Sequence, residues 1–162
     1  LAPLIFTVKS IPVASFIILV LIWVRSAQLS IVISFLMVFP IFYENVRKGI
    51  EMCDQQLLEM ADVFELSSFT RIRYIYTSSI LPYFQSACSL ALGLAWKSGI
   101  AAEVIGLPKF SIGEHLQQAK VYFDTADLFA WTLVIILLST VLEKLVMALI
   151  RMIIKYIETE CL

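Results

Sequence analysis

Long apolar runs broken by brief polar stretches set the pattern of this chain. Residues 11–24 are apolar except for Ser15. With residues 4–10 they make about 20 positions, enough to cross a hydrocarbon core roughly 30 Å thick. Lys9 near one end can snorkel to the interface, Pro12 can start or kink the segment, and Trp23 and Arg25 mark its far side. A short connection at 26–28 leads to a second span at about 29–45, with Pro40 inside it. A mid-helix proline removes one hydrogen bond and predicts a kink. A third span is predicted at about 80–100, with Pro82 in its first turn, where proline is tolerated. A fourth runs over about 126–148, interrupted by Ser139, Thr140, Glu143 and Lys144. Between these last two, residues at about 105–125 form a polar connection with Gly106, Pro108, Gly113 and a short amphipathic piece at 114–121. The pattern predicts an all-α polytopic bundle of four membrane spans.

A polar island at 56–82 divides the spans two and two. Leu57, Ala61 and Phe64 fall at i, i+4 and i+7, with Leu58 beside them, so one helix face is apolar. Glu59, Asp62 and Glu65 fall on other faces, and Ser67 and Ser68 can end this helix and cap the next. A short amphipathic helix between spans either lies on lipid or docks into a partner. Lipid-surface helices carry Lys and Arg on the polar face. This one is acidic at Asp54, Glu59, Asp62 and Glu65, which favours a protein partner.

Composition agrees with the pattern. Of 162 residues 60% are hydrophobic and only 15% charged, with a mean hydropathy of +0.91; soluble domains are nearer 45–50% apolar. The net charge of −1 and the absence of any basic stripe exclude nucleic acid as a partner. Charge also orients the chain. The island face and the tail hold Arg47, Lys48, Arg71, Arg73, Lys144, Arg151 and Lys155, against Arg25, Lys109 and Lys120 on the opposite side. The excess places the island and the C-terminus in the cytoplasm. No basic leader precedes the first apolar run, and a start at Leu1 suggests an N-terminally incomplete chain.

Enzymatic chemistry finds little support. His115, the only histidine, lies in the outer connection beside Glu114, and no GxSxG elbow is present. Cys53, Cys88 and Cys161 are far apart and form no CxxC, so no metal site is predicted. None of the five glycines belongs to a GxxxxGK[ST] loop, so ATP, if it drives this chain, is hydrolysed by another subunit. Ionisable groups at membrane depth are costly and usually face a bundle interior or a water-filled path. Lys97 and Glu103 fit that description, and at i and i+6 they lie about 120° apart around a helix. Lys97 either snorkels outward or lends positive potential to an anion path. Gly93 and Gly99, with Ala87, Ala91, Ala95 and Ala102, allow close helix approach, within the chain or between two copies.

Two sets of residues carry a family resemblance. Glu59-Met60-Ala61, then Glu65, Ile75 and Leu81-Pro82, resemble the EAA loop of ABC importer permeases, although Met60, Glu65 and Thr77-Ser78 depart from that pattern. Glu65 stands where the loop has Gly, a position that favours positive φ. Downstream, Ala95-Trp96, Ala102-Glu103-Val104-Ile105-Gly106, Ile112-Gly113 and Asp127 are similar to the nitrate/taurine/sulfonate branch of those permeases. Upstream, Ser10-Ile11-Pro12 and Phe39-Pro40 fit the same branch.

The resemblance implies a single permease domain over 1–162 of the type I ABC importer kind, with a cytoplasmic coupling loop at about 47–79 and a coupling helix at about 52–68. Leu57, Leu58, Glu59, Ala61, Phe64 and Glu65 would meet the ATPase, while Lys97, Glu103 and Pro40 would border the translocation path. The implied partners are an ABC ATPase that binds the ATP, a second permease copy forming a homodimer, an extracytoplasmic binding protein and the bilayer. No cofactor is expected in this chain. The implied cargo is a small anion such as a sulfonate, taurine or nitrate; a thiamine precursor or another cofactor precursor is the alternative. An integral membrane enzyme or a scaffold would lack the ATPase partner.

Overall fold

The computed structural model describes residues 11–161, with side chains placed through Tyr156. The described residues form helices joined by short turns: α1 (Val13–Leu21), α2 (Ser26–Glu51), α3 (Gln55–Val63), α4 (Ser68–Gly106), α5 (Ile112–Val121) and α6 (Thr125–Cys161). Three of them, α2, α4 and the stretch Thr125–Tyr156 of α6, are long and apolar enough to cross a membrane. The first expected span lies partly outside the described residues, at 4–10. Of its remainder nine residues are helical, beginning directly after Pro12.

Each long helix outruns its predicted limits. The expected connection at 26–28 is already helical, since Ala27 and Gln28 are good helix formers. At the other end, α2 continues through Tyr43, Glu44 and Lys48 to Glu51. Asn45 donates to the Ile41 carbonyl at 2.8 Å, and Arg47 pairs with Glu51 one turn on at 2.8 Å. Charged residues end a membrane span without ending a helix. Likewise α6 runs on past residue 148 to Cys161.

Pro82 is not in a first turn. The helix that holds it starts fourteen residues earlier, at Ser68, because the Ser67 hydroxyl accepts the Thr70 amide at 3.3 Å and caps it there. Between the cap and Pro82 the backbone widens into a π-helical stretch, Arg71–Tyr76, where the Thr77 hydroxyl donates to the Ile72 carbonyl at 2.8 Å. Such wide turns are rare and concentrate at functional places.

The chain divides into two compact units. Among the described residues, one comprises 11–40 and 91–143. Its core is Ile17, Val20, Leu29, Ile33, Met37 and Ala102, wrapped by Phe16, Leu36, Leu94 and Ile105. Close approach in this unit depends on small residues. Ser34 donates to the Ala95 carbonyl at 2.9 Å, and a Cβ at Gly99 would lie 3.0 Å from the hydroxyls of Ser30 and Ser34. The other unit comprises residues 41–90 and 144–161. It buries Ala61, Ile75, Ala87 and Cys88, and Phe42 packs on Phe84 with ring centroids 5.4 Å apart.

Candidate coupling site

Local sequence sets both ends of α3. The Asp54 carboxylate accepts the Gln56 amide at 2.9 Å and caps the start. The expected helix over 52–68 is therefore shortened to Gln55–Val63. Its end is a Schellman turn: the Leu66 amide donates to the Ala61 carbonyl at 2.9 Å and the Glu65 amide to the Asp62 carbonyl at 3.1 Å. Such a turn needs a left-handed residue, and Glu65 supplies it at φ 52°. For a residue with a Cβ this costs about 1–2 kcal/mol. Glu65 thus occupies the conformation that glycine would take at no such cost.

Arg71 offsets that cost. From the start of α4 it reaches back over the turn: its Nε donates to the Leu66 carbonyl at 3.0 Å and its Nη2 to the Ala61 carbonyl at 3.2 Å, while Nη1 pairs with Asp62 at 2.5 Å. Asp62 is 67% exposed and the Arg71 side chain 29%, so solvent screens the ion pair. The two carbonyl bonds are the better shielded part of the clamp. Arg71 is absent from the predicted site. Its signal in the sequence is the missing glycine at 65, which calls for a compensating donor without saying which residue provides it.

The face that α3 leaves open is rotated from the expected one. Ala61 is fully buried and Leu58 half-buried, so both turn toward the chain itself. Leu57, Met60, Val63 and Phe64 are exposed, the last two at 80% and 69%, and Glu59 and Glu65 are exposed beside them. Of the six predicted residues, Leu57, Glu59, Phe64 and Glu65 therefore share an accessible surface. Met60 and Val63 join it.

The residues expected along a path lie elsewhere on the chain. Pro40 is buried within α2, and Lys97 is exposed on α4. Glu103 is half-buried near the end of α4, where its Oε2 accepts the Gly113 amide at 3.2 Å. His115, expected in the outer connection, is exposed on α5 and stacks on Trp131 with ring centroids 4.5 Å apart and planes 7° from parallel.

Residues 1–158 match the family model of the binding-protein-dependent transport system inner membrane component. The chain belongs to this family. As an ABC transporter permease sequence it is 27% identical over 118 residues to a Bacillus subtilis (strain 168) protein named for aliphatic sulfonates transport, the permease SsuC; the match covers 73% of this chain and 42% of that protein. A Brucella melitensis protein named as an ABC transporter permease is 26% identical over 101 residues, covering 62% of this chain and 41% of its own length. A Brucella abortus (strain 2308) permease matches equally, at 26% over 101 residues, covering 62% and 40%. The matched stretch thus spans about two fifths of the length of these curated relatives. No solved structure matches the chain. An all-α membrane permease is what family and helices together establish.

Proposed function

We propose that this permease chain borders the solute path of an ATP-driven importer and takes its drive from a separate ATPase subunit through α3. The observation that carries the reading is the open face of α3. A nine-residue helix, placed between two helices fit to cross a membrane, leaves Leu57, Met60, Val63 and Phe64 uncovered and is ringed by acids. Anionic lipid would repel that rim, whereas a protein groove with basic or backbone donors would receive it. The Lys and Arg bias supports a cytoplasmic position for this face, where an ATPase would meet it.

Closure of a paired ATPase would then carry α3 with it. Because α4 is helical from Ser68 onward, a displacement at Ser67 would tilt a membrane-crossing rod. A second copy of the permease would complete the path, and an extracytoplasmic binding protein would deliver the solute. The cargo is a small anion of the sulfonate, taurine or nitrate kind. The name of the Bacillus subtilis relative and the open cationic Lys97 support that class.

Glu59→Lys tests the coupling. Glu59 is exposed, so the variant should insert and fold as the wild type does. Co-purification of the ATPase should fall at least tenfold. Retention at the wild-type level would reject the assignment of this face.

A further inference from the structure

The coupling reading leaves open how a push on α3 reaches α4. A four-residue linker, 64–67, separates them, and such a linker could absorb the motion. We propose that Arg71 is the positioning residue that makes α3 and the first turns of α4 move as one body; this rests on the coupling reading above. The geometry is specific. One guanidinium spans both sides of the linker, holding the Ala61 carbonyl and the Asp62 carboxylate on the α3 side and the Leu66 carbonyl within the linker. Ala61 is the acceptor that also closes the Schellman turn, so Arg71 binds the atom that defines the end of α3. The planar fork suits this role, because lysine cannot offer three donors in fixed directions. Arg71 also opens the π-helical stretch, so the clamp sits where α4 is least regular. The left-handed Glu65 makes the clamp necessary: a glycine there would hold the turn unaided.

The experiment uses the full transporter complex in detergent, with four permease variants: Arg71→Met, Arg71→Lys, Glu65→Gly, and Arg71→Met combined with Glu65→Gly. Two readouts are taken. Amide hydrogen exchange at Glu65 and Leu66 reports the turn itself and needs no ATPase. Co-purification of the ATPase reports coupling. Arg71→Met should speed exchange of both amides at least tenfold and lower ATPase retention at least fivefold. Arg71→Lys should recover only part of either. Adding Glu65→Gly should slow exchange again and bring ATPase retention up to that of Glu65→Gly alone, the reference for losing a side chain on the coupling face, since it removes the left-handed strain without restoring a charge. Restoration separates positioning from direct contact with the ATPase, because a glycine in the turn could not replace a lost arginine contact. Unchanged exchange in Arg71→Met would overturn the clamp. Faster exchange with full ATPase retention would overturn the positioning role, as would failure of the double variant to reach the retention of Glu65→Gly alone. A wild-type chain that retains no ATPase would instead sink the coupling reading and this role with it, while the exchange result would still stand.

Discussion

The Glu103 carboxylate accepts the backbone amide of Gly113 at 3.2 Å, joining the end of α4 to the start of α5. Gly113 lies in the first turn of α5, where amides lack helical partners and an anion is favoured. The approach is too close for any other residue. A Cβ on Gly113 would stand 2.4 Å from both the Cβ and the carbonyl carbon of Glu103 and 2.5 Å from the Val104 nitrogen. Two of those atoms are main chain and cannot swing aside. Gly113→Ala should therefore lower stability by about 1–3 kcal/mol, the usual range for overpacking. Thermal unfolding of the detergent-solubilised protein reads this, and a wild-type midpoint would contradict the contact. Glu103→Gln keeps an acceptor oxygen and should be nearly neutral by the same measurement.

Phe64 tests the uncovered side of α3 without touching its buried side. Its side chain is 69% exposed, so Phe64→Asp should change stability by no more than about 0.5 kcal/mol. Association with an ATPase should nonetheless drop tenfold or more, because a charge would enter an apolar groove. Ala61→Asp is the contrast: Ala61 is fully buried, and the variant should fail to accumulate as folded protein. Equal behaviour of the two variants in a pull-down and a melting assay would show that α3 does not have these two sides.

Lys97 is exposed on an apolar helix. If it lends positive potential to an anion path, Lys97→Met should reduce uptake of radiolabelled taurine or an alkanesulfonate severalfold, with assembly intact, and Lys97→Arg should preserve most of it. Uptake by the methionine variant at the wild-type rate would remove Lys97 from the path.

Gly49 and Gly93 look alike in the sequence and should respond oppositely to alanine. A Cβ on Gly49 would lie 2.9 Å from the Ile80 Cα, a main-chain atom, so Gly49→Ala must push α2 and α4 apart locally and should destabilise. At Gly93 nothing stands within 4 Å. There the gain in helix propensity, up to about 1 kcal/mol, should leave Gly93→Ala as stable as wild type or more so. Melting curves of the two variants decide this.

How far the residues speak for themselves differs from feature to feature. The membrane helices are legible because a 20-residue apolar run has few other uses, and the cap at Ser67 is legible because it satisfies an amide only three residues away, whereas the cap at Asp54, equally local, goes unread and the expected helix begins too early. Glu103 and Gly113 each stand out in the sequence, but their pairing does not, since nothing local says that the start of α5 folds back onto α4. Pro82 is misplaced by the pattern because the signal that starts its helix lies at Ser67, well upstream.

Periodicity along the chain determined that α3 is amphipathic and acidic, because helical spacing is a property of adjacent turns. Only tertiary structure decided which side of it remains open. Leu57, Leu58, Ala61 and Phe64 span a sector wide enough to be covered on either flank, and packing buried Ala61 while exposing Met60 and Val63. The same holds for Arg71, whose three partners lie five to ten residues back and meet only when the turn at Glu65 reverses the chain.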